Sequence, residues 1–387
     1  METPPSYSLR QLVGYFLKLG AVGFGGPPAL IGYMHRDLVA DRQWIAEEDY
    51  REGVALAQLA PGPLAAQLAI YLGYVHHGIL GATAVGVAFV LPSFLMVLAI
   101  GWAYVRFGGL PWIQAIFYGI GTAVIAIIAM GTYKLTLKTV RKDDWLGWAI
   151  FAVSALTTAV LETELVWLVV GAGVVYWLVK SPPDALKLGR LGSLAPGMEL
   201  FGLAAPDSIY WKLALFFTNA GAFVFGSGLA IVPFLYGGVV KEYGWLNEQQ
   251  FLDAVAVAMI TPGPVVITVA FIGYLVAGWV GACVAALATF LPCYLLTILP
   301  APYFKRYGRR PGIKAFVDGI TIGAVGAIAG AVVVLGRRQL TAWPALALAL
   351  LVGLLIWRFS KLPEPYLIAG AALLGVLLKM IPYLSNT

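Results

Sequence analysis

The sequence predicts an all-α polytopic membrane protein of two inverted homologous repeats, with about ten transmembrane helices and two re-entrant, broken helical hairpins. Three observations lead there. Of 387 residues, 60% are hydrophobic and only 11% charged, where a soluble domain carries about 25%. The chain is written twice, with the two copies in register. The basic residues of equivalent loops change sides between the copies, as opposite membrane orientations require.

Composition sets the class. Residues 81–104 (GATAVGVAFVLPSFLMVLAIGWAY) and 279–301 (WVGACVAALATFLPCYLLTILPA) each match the ~20 apolar residues that span a bilayer. No sizeable soluble domain is left over. The net charge of +6 fits loops retained in the cytoplasm, and an electropositive path for an anion is the sharper alternative. No basic run is interleaved with aromatics, so nucleic acid is not an expected partner. The N-terminus METPPSYSLRQLVGYF lacks a signal peptide's basic start and cleavage site. Cys283 and Cys293 share one apolar segment, which suits packing and neither a disulfide nor zinc. No ligand-spaced Cys/His/acid cluster calls for a metal, no cofactor is expected, and no nucleotide-binding loop is present.

The repeat orders the elements. GFGGPPALIGYMHRDLVADRQWIAEEDYREGVALAQLAPGPLA (23–65) aligns with the stretch 201 positions later. Phe24 meets Phe225, Trp44 meets Trp245, Glu47 meets Glu248, Glu52 meets Asp253, and Pro61-Gly62-Pro63 meets Pro262-Gly263-Pro264. After one deletion the offset is 200, and Gly78 meets Gly278, Pro92 meets Pro292, and Gly119 meets Gly319. The halves are residues 1–190 and 209–387, joined by a Pro/Gly-rich polar linker at 191–208.

Each half holds six apolar segments, near 9–33, 52–76, 79–105, 112–133, 145–161 and 164–180 in the first. The loop after the third segment carries Arg106 in the first half, against Lys305, Arg306, Arg309, Arg310 and Lys314 in the second. After the fourth come Lys134, Lys138, Arg141 and Lys142, against Arg337 and Arg338. That exchange predicts inversion, so one segment per half must enter and leave on the same face. The first segment is the candidate, because GFGGPP divides it into pieces that reach only about 20 Å. Loop charge summed over this layout places both termini outside.

The broken helices suggest the site. Irregular backbone at membrane depth is tolerated where protein buries it or it lines a wet cavity. Repeat transporters aim half-helix N-termini at anionic substrates there. Pro63, Pro264 and Pro27 suit the first helical position, leaving the following amides as donors backed by a helix dipole. Purely structural kinks are the competing reading. The substrate-binding candidates are Gly25, Gly26, Pro27, Gln58, Pro61, Gly62 and Pro63, with Gly226, Ser227, Thr261, Pro262, Gly263 and Pro264 in the second half. Gln67 and Thr268 also flank the breaks, though small polar groups equally join packed helices. Lys18 and Arg36 are electrostatic candidates, and the mixed charges around Arg36 also read as a solvated face. Glu52 and Asp253 are proton-coupling candidates, against the plainer reading of interfacial carboxylates. Asp318 is an unmatched membrane acid. An intramembrane hydrolase using Ser227 lacks a base within reach, since the histidines are His35, His76 and His77.

The combination VGFGGPPA, DRQWIAEEDYREGVALAQLAPGPLAAQLAIYLGY and GILGATAVGVAFVLPSFLMVLA resembles the chromate ion transporter family over nearly the whole length, in its fused two-domain form. The resemblance implies a multi-pass secondary transporter of a bacterial or archaeal inner membrane. It would export chromate, driven by the proton gradient or membrane potential. The family's motif positions fall on Gly25, Gly26, Pro27, Trp44, Gln58, Pro61, Gly62 and Pro63. The second half departs, with Gly226-Ser227-Gly228 for Gly-Gly-Pro and Met259 for Gln58, which favours the first half for anion selectivity. Sulfate or another oxyanion, or an uncoupled anion channel, are the alternatives. The expected partners are the oxyanion and the bilayer, with a homodimer left open.

Overall fold

A computed structural model describes residues 7–24, 26–108, 110–162, 166–181, 208–223, 228, 231–307, 311–359 and 364–380. Among them the secondary structure is entirely helical. Sequence-encoded caps start several helices. Ser8 and Gln11 form a capping box at α1 (Leu9–Val22), and Asn247 and Gln250 form another at α10 (Glu248–Ile260). Each box satisfies two otherwise orphaned backbone donors.

The first segment doubles back, as expected. α1 runs inward and α2 (Gly26–Met34) runs out again through a π-helical turn at His35–Asp41. The two arms are antiparallel, since Tyr15 on α1 donates to Asp37 on the return at 3.2 Å. At the open end Tyr7 stacks on Trp44 with centroids 5.0 Å apart.

The second segment also doubles back. α3 (Glu47–Leu59) leads in and the first limb of α4 (Leu64–Phe107) leads out. A β-carbon at Gly53 would touch the Tyr71 ring, and His76 Nδ1 lies 2.7 Å from the Tyr7 hydroxyl. Gly78, at φ 57° and ψ −150°, then reverses α4. The limbs lie so close that a side chain at Gly73 would strike the carbonyl of Gly81. Only glycine takes that backbone without strain.

The second half repeats this design. α8 (Ile209–Phe223) is followed by α9 (Ile231–Leu235) and a π-helical turn at Tyr236–Glu242. Phe216 stacks on Phe234 and packs against Trp245. α10 leads to a 3₁₀ turn (Val265–Ile267) and α11 (Thr268–Ile298), which reverses at Gly278, φ 64°. α12 (Ala301–Tyr307) and α13 (Pro311–Gln339) follow.

The long helices fix which end is which. α5 (Pro111–Thr139), α6 (Trp145–Leu161) and α7 (Val166–Lys180) complete the first half; α14 (Trp343–Arg358) and α15 (Glu364–Met380) complete the second. The last two helices of each half pack on the fourth long element of the other. Along α13, Gly319, Gly323, Gly326 and Gly330 receive α7 and then α6 backbone. On the other side Gly119 of α5 lies against Ala371, and Gly375 of α15 against Ala115. Apolar burial does not select one helix partner over another in lipid, so such small-residue contacts do.

Tyr7, His76, Lys180 and Lys314 gather at one end, here termed basal; Arg106, Glu162, Glu248 and Arg338 gather at the other, apical end. α7 ends basally beside Asp144, while α8 begins at the apical end that holds Trp245. Residues 182–207, which include most of the expected linker, lie outside the described set. Trp112, Trp145, Trp167, Trp279, Trp343 and Trp357 are exposed at helix ends, where tryptophan anchors membrane interfaces.

Candidate functional site

The two Pro-Gly-Pro turns meet structures of the opposite half. The Gly263 amide donates to the carbonyl of Gly23, at the first hairpin's break, at 3.0 Å. A β-carbon at Gly62 would stand 2.8 Å from Cys293 Sγ, and one at Gly263 would stand 2.7 Å from Ser93 Oγ. Ser93 and Cys293 are equivalent positions, each directly after the proline inside the long limb of α4 or α11. Each turn is therefore seated on the other half's proline-bearing helix. Gly62 and Gly263 sit at φ 139° and 95°, open to glycine and costly to other residues.

Pro63 and Pro264 lie one position earlier than expected, and Pro27 one position later. Pro63 caps α4 at φ −68°, and Pro264 caps the 3₁₀ turn at φ −76°. Pro27 is the second residue of α2, after Gly26 at φ 69°. The Ala66 and Gln67 amides donate to Pro63, and the Ile267 amide donates to Pro264. Ala66 and Ile267 are thus spent internally. The amides of Leu64, Ala65, Val265 and Val266 have no hydrogen-bond partner among the described residues.

Side chains around the breaks divide sharply. Thr261 donates to Val257 and Ala258, and Thr268 to Val265, so both serve their own helices. Gln67 is fully buried and donates to Pro61 at 2.7 Å, leaving its Oε1 unpaired. Gln58 is exposed on α3 with no partner among the described residues. Lys18 is exposed on α1. Arg36 is mostly exposed, paired with Asp37 at 2.8 Å and lying over the Tyr33 ring. Gly25, Gly226 and Ser227 lie outside the described residues.

The paired acids have different surroundings. Glu52 is partly exposed and hydrogen-bonded to Tyr71 within the same hairpin. Asp253 is only 2% exposed. It accepts from Tyr104 Oη at 2.7 Å and from Gln249 Nε2 at 2.8 Å. Position 271 is phenylalanine where the first half has Tyr71, and Tyr104 packs its ring against Phe271 at 5.4 Å. The missing hydroxyl thus arrives from the opposite half. Asp253 lines an apical cavity of about 650 Å³ with Tyr104, Gln114, Tyr118, Asn247, Gln249 and Gln250. Sequence reading found Asp253 and missed Tyr104, because no local pattern links residues 149 positions apart.

Charges at the rims are tied to one another. Arg338 bridges Glu162 and Glu248, and Lys241 lies 2.6 Å from Glu162. The hydrogen bonds from Arg338 and then Lys241 hold the Glu162 carboxyl below the usual glutamate pKa. Basally, burial opposes the Asp144 carboxylate, but Lys180, Tyr176 and the Gly147 amide outweigh it and lower its pKa. Asp318 lines a cavity of about 250 Å³ there with Arg141, Asp144 and Lys314. Glu47 is held down first by His35 and then by Arg51.

Comparison with known proteins gives a consistent result. The family model described as "Chromate transporter" matches residues 10–177 and again 211–376. The chain is 63% identical over 380 residues to a chromate transport protein of Cupriavidus metallidurans, covering 97% of this chain and 94% of that one. It is 62% identical to a probable chromate transport protein of Synechococcus elongatus, covering 97% of each. A Bacillus subtilis protein described as an uncharacterized transporter is 32% identical over 184 residues, 46% of this chain but 99% of its own length. No solved structure gives a significant match.

Proposed function

The chain belongs to the chromate transporter family, and from that premise we propose a secondary transporter that exports chromate across a bacterial or archaeal inner membrane. Members of the family are transport proteins, and the chain is not an enzyme. The observation that carries the reading is the Gly263–Gly23 bond, with each Pro-Gly-Pro turn seated on the opposite half. Broken helices that meet at the centre of two inverted repeats form the pattern in which transporters hold substrate.

The proposed site uses the free amides after Pro63 and Pro264, with Gln58 exposed beside the first turn. Gly25, Gly26, Pro27, Gly226, Ser227 and Thr261 complete the candidate set around the hairpin tips. Helix N-termini favour a tetrahedral dianion through aligned amides and partial positive charge. Glu52 or Asp253 couples transport to protons. Sulfate has the same shape and charge and is the competing substrate.

In this layout eight helices cross: α5, α6, α7, α13, α14, α15 and the second limbs of α4 and α11. Four hairpins enter and return, in place of ten crossings and two hairpins. The repeats are inverted about the central turns. Arg36, Arg42, Arg51, Lys134, Lys138, Arg141, Lys142, Lys180, Lys314 and Arg358 then lie basally, against Arg106, Lys212, Lys241, Arg337 and Arg338 apically. The positive-inside bias makes the basal end cytoplasmic. α1 then begins on the inside, which revises the expectation of both termini outside.

The test is radiolabelled chromate flux in proteoliposomes, with sulfate as competitor and imposed pH and voltage gradients. Saturable, sulfate-competed, pH-driven flux is expected. Unsaturable conductance would favour a channel, and no flux of either anion would end the reading.

A further inference from the structure

We propose that Asp253, held by Tyr104 of the opposite half at the floor of the apical cavity, binds the driving proton, and that Glu52 does not. The inference rests on the transport reading above and deepens it by choosing between the two acids.

A carboxyl group that carries a proton must be reachable by water and must exist in both charge states. Asp253 meets the first condition through the cavity, whose wall is built from amides and phenols. It meets the second because its two hydrogen-bond partners are neutral donors. A lysine or arginine partner would hold the carboxylate ionised. Glu248, five residues earlier on α10, shows that contrast, because Arg338 binds it. With no counter-ion among the described residues, burial weighs against the charged form, and the two donors support it.

The titratable groups around Asp253 are few. α4 supplies Tyr104 and α5 supplies Tyr118, both on the cavity wall. α11 supplies Tyr274, packed on Gly101 of α4. The π-helical turn supplies Tyr236 and Lys241, and α13 supplies Arg338, but these engage Glu162 and Glu248. From α15, Tyr366 stands near the start of that helix, at the basal end. Among the described residues no lysine, arginine or histidine lines the cavity.

Position supplies the coupling. Asp253 lies on the 13-residue helix that ends at Pro262-Gly263-Pro264, whose glycine amide is bonded to Gly23. A proton from cavity water adds to one carboxylate oxygen, taking the group from −1 to neutral, while Tyr104 keeps its own proton. The phenol then faces a neutral acid, and a charge-assisted bond between halves becomes a weaker neutral one. Loss of the proton to water restores it. Glu52 has no equivalent lever, because Tyr71 belongs to the same hairpin.

The experiment uses the full chain in proteoliposomes and reads chromate–chromate exchange at equal pH beside accumulation driven by a pH gradient. For Asp253→Asn the ratio of driven accumulation to exchange should fall by about tenfold or more, the effect of removing the coupling group rather than the path. For Glu52→Gln the ratio should stay at the wild-type value. Tyr104→Phe should shift the pH at which accumulation is half-maximal. A wild-type ratio in Asp253→Asn, or a collapsed ratio in Glu52→Gln, overturns the assignment. So does equal loss of exchange and accumulation in a well-folded Asp253→Asn. If that variant does not fold, Asp253→Glu and Tyr104→Phe decide, and unchanged pH profiles in both overturn it. Absence of exchange in the unaltered protein breaks the transport reading instead.

Discussion

Ser93 lies directly against Gly263: a β-carbon there would stand 2.7 Å from the serine hydroxyl oxygen and 3.1 Å from its Cβ. The turn of one half and the helix of the other share a space that holds no extra atom. Gly263→Ala should cost about 1–3 kcal/mol from overpacking and positive-φ strain together. Ser93→Gly in the same chain should recover the overpacking share but not the strain at φ 95°. Thermal unfolding of the detergent-purified single and double variants measures both parts, and identical losses would contradict the contact.

Gln58 separates a ligand role from a structural one. Its exposed side chain holds no partner among the described residues, so Gln58→Ala should leave folded yield and unfolding temperature unchanged. Loss of one hydrogen bond to the anion should raise the KM for chromate roughly three- to tenfold, equivalent to about 1 kcal/mol. An unchanged KM would remove Gln58 from the site.

Gly119 and Gly319 are equivalent positions, and each receives helices of the opposite half. A β-carbon at Gly119 would meet the Ala371 carbonyl, and one at Gly319 would stand 2.5 Å from Tyr176 Cβ. Valine at either position should lower the yield of folded protein by displacing α15 or α7, because close approach requires a small residue. Size-exclusion profiles after solubilisation would show it. A normal profile for both variants would argue against the exchanged packing.

The charge network at the apical rim gives a pH signature. The folded Glu162 pKa is depressed below its ordinary 4.5 by Arg338 and Lys241. Its contribution to stability is therefore complete above about pH 4.5 and is lost as acidification passes through the folded value. Arg338→Gln should lower the unfolding temperature at pH 7, on the order of 1 kcal/mol for so exposed a cluster. It should also flatten the part of the acid-side slope due to Glu162. An equal drop at pH 7 and pH 3 would show that Arg338 acts through packing.

The duplication and the paired acids were legible because they are patterns of residue identity at fixed spacing. The second hairpin was hidden, since 52–76 is apolar enough to read as one crossing. Gly78 and Gly278 mark the reversal, but a matched glycine pair in a membrane helix signals close packing as readily as a turn. Their positive φ exists only in three dimensions. The partnership of Tyr104 with Asp253 was out of reach for another reason: it compensates for Phe271, and compensation across halves leaves no local trace. Helix exchange was likewise invisible, because α6, α7, α14 and α15 are similarly apolar and lipid imposes no preference among partners.

The exchanged helices also set an order for assembly during synthesis. α6 and α7 leave the ribosome before α13, the surface they pack on, has been made. α5 in turn waits for α15, the last described helix of the chain. The first half therefore enters the bilayer with three helices lacking their final neighbours, and it closes only when the second half is inserted. A nascent chain arrested before Pro311 would present those uncovered glycine-matched faces to the quality-control machinery of the membrane.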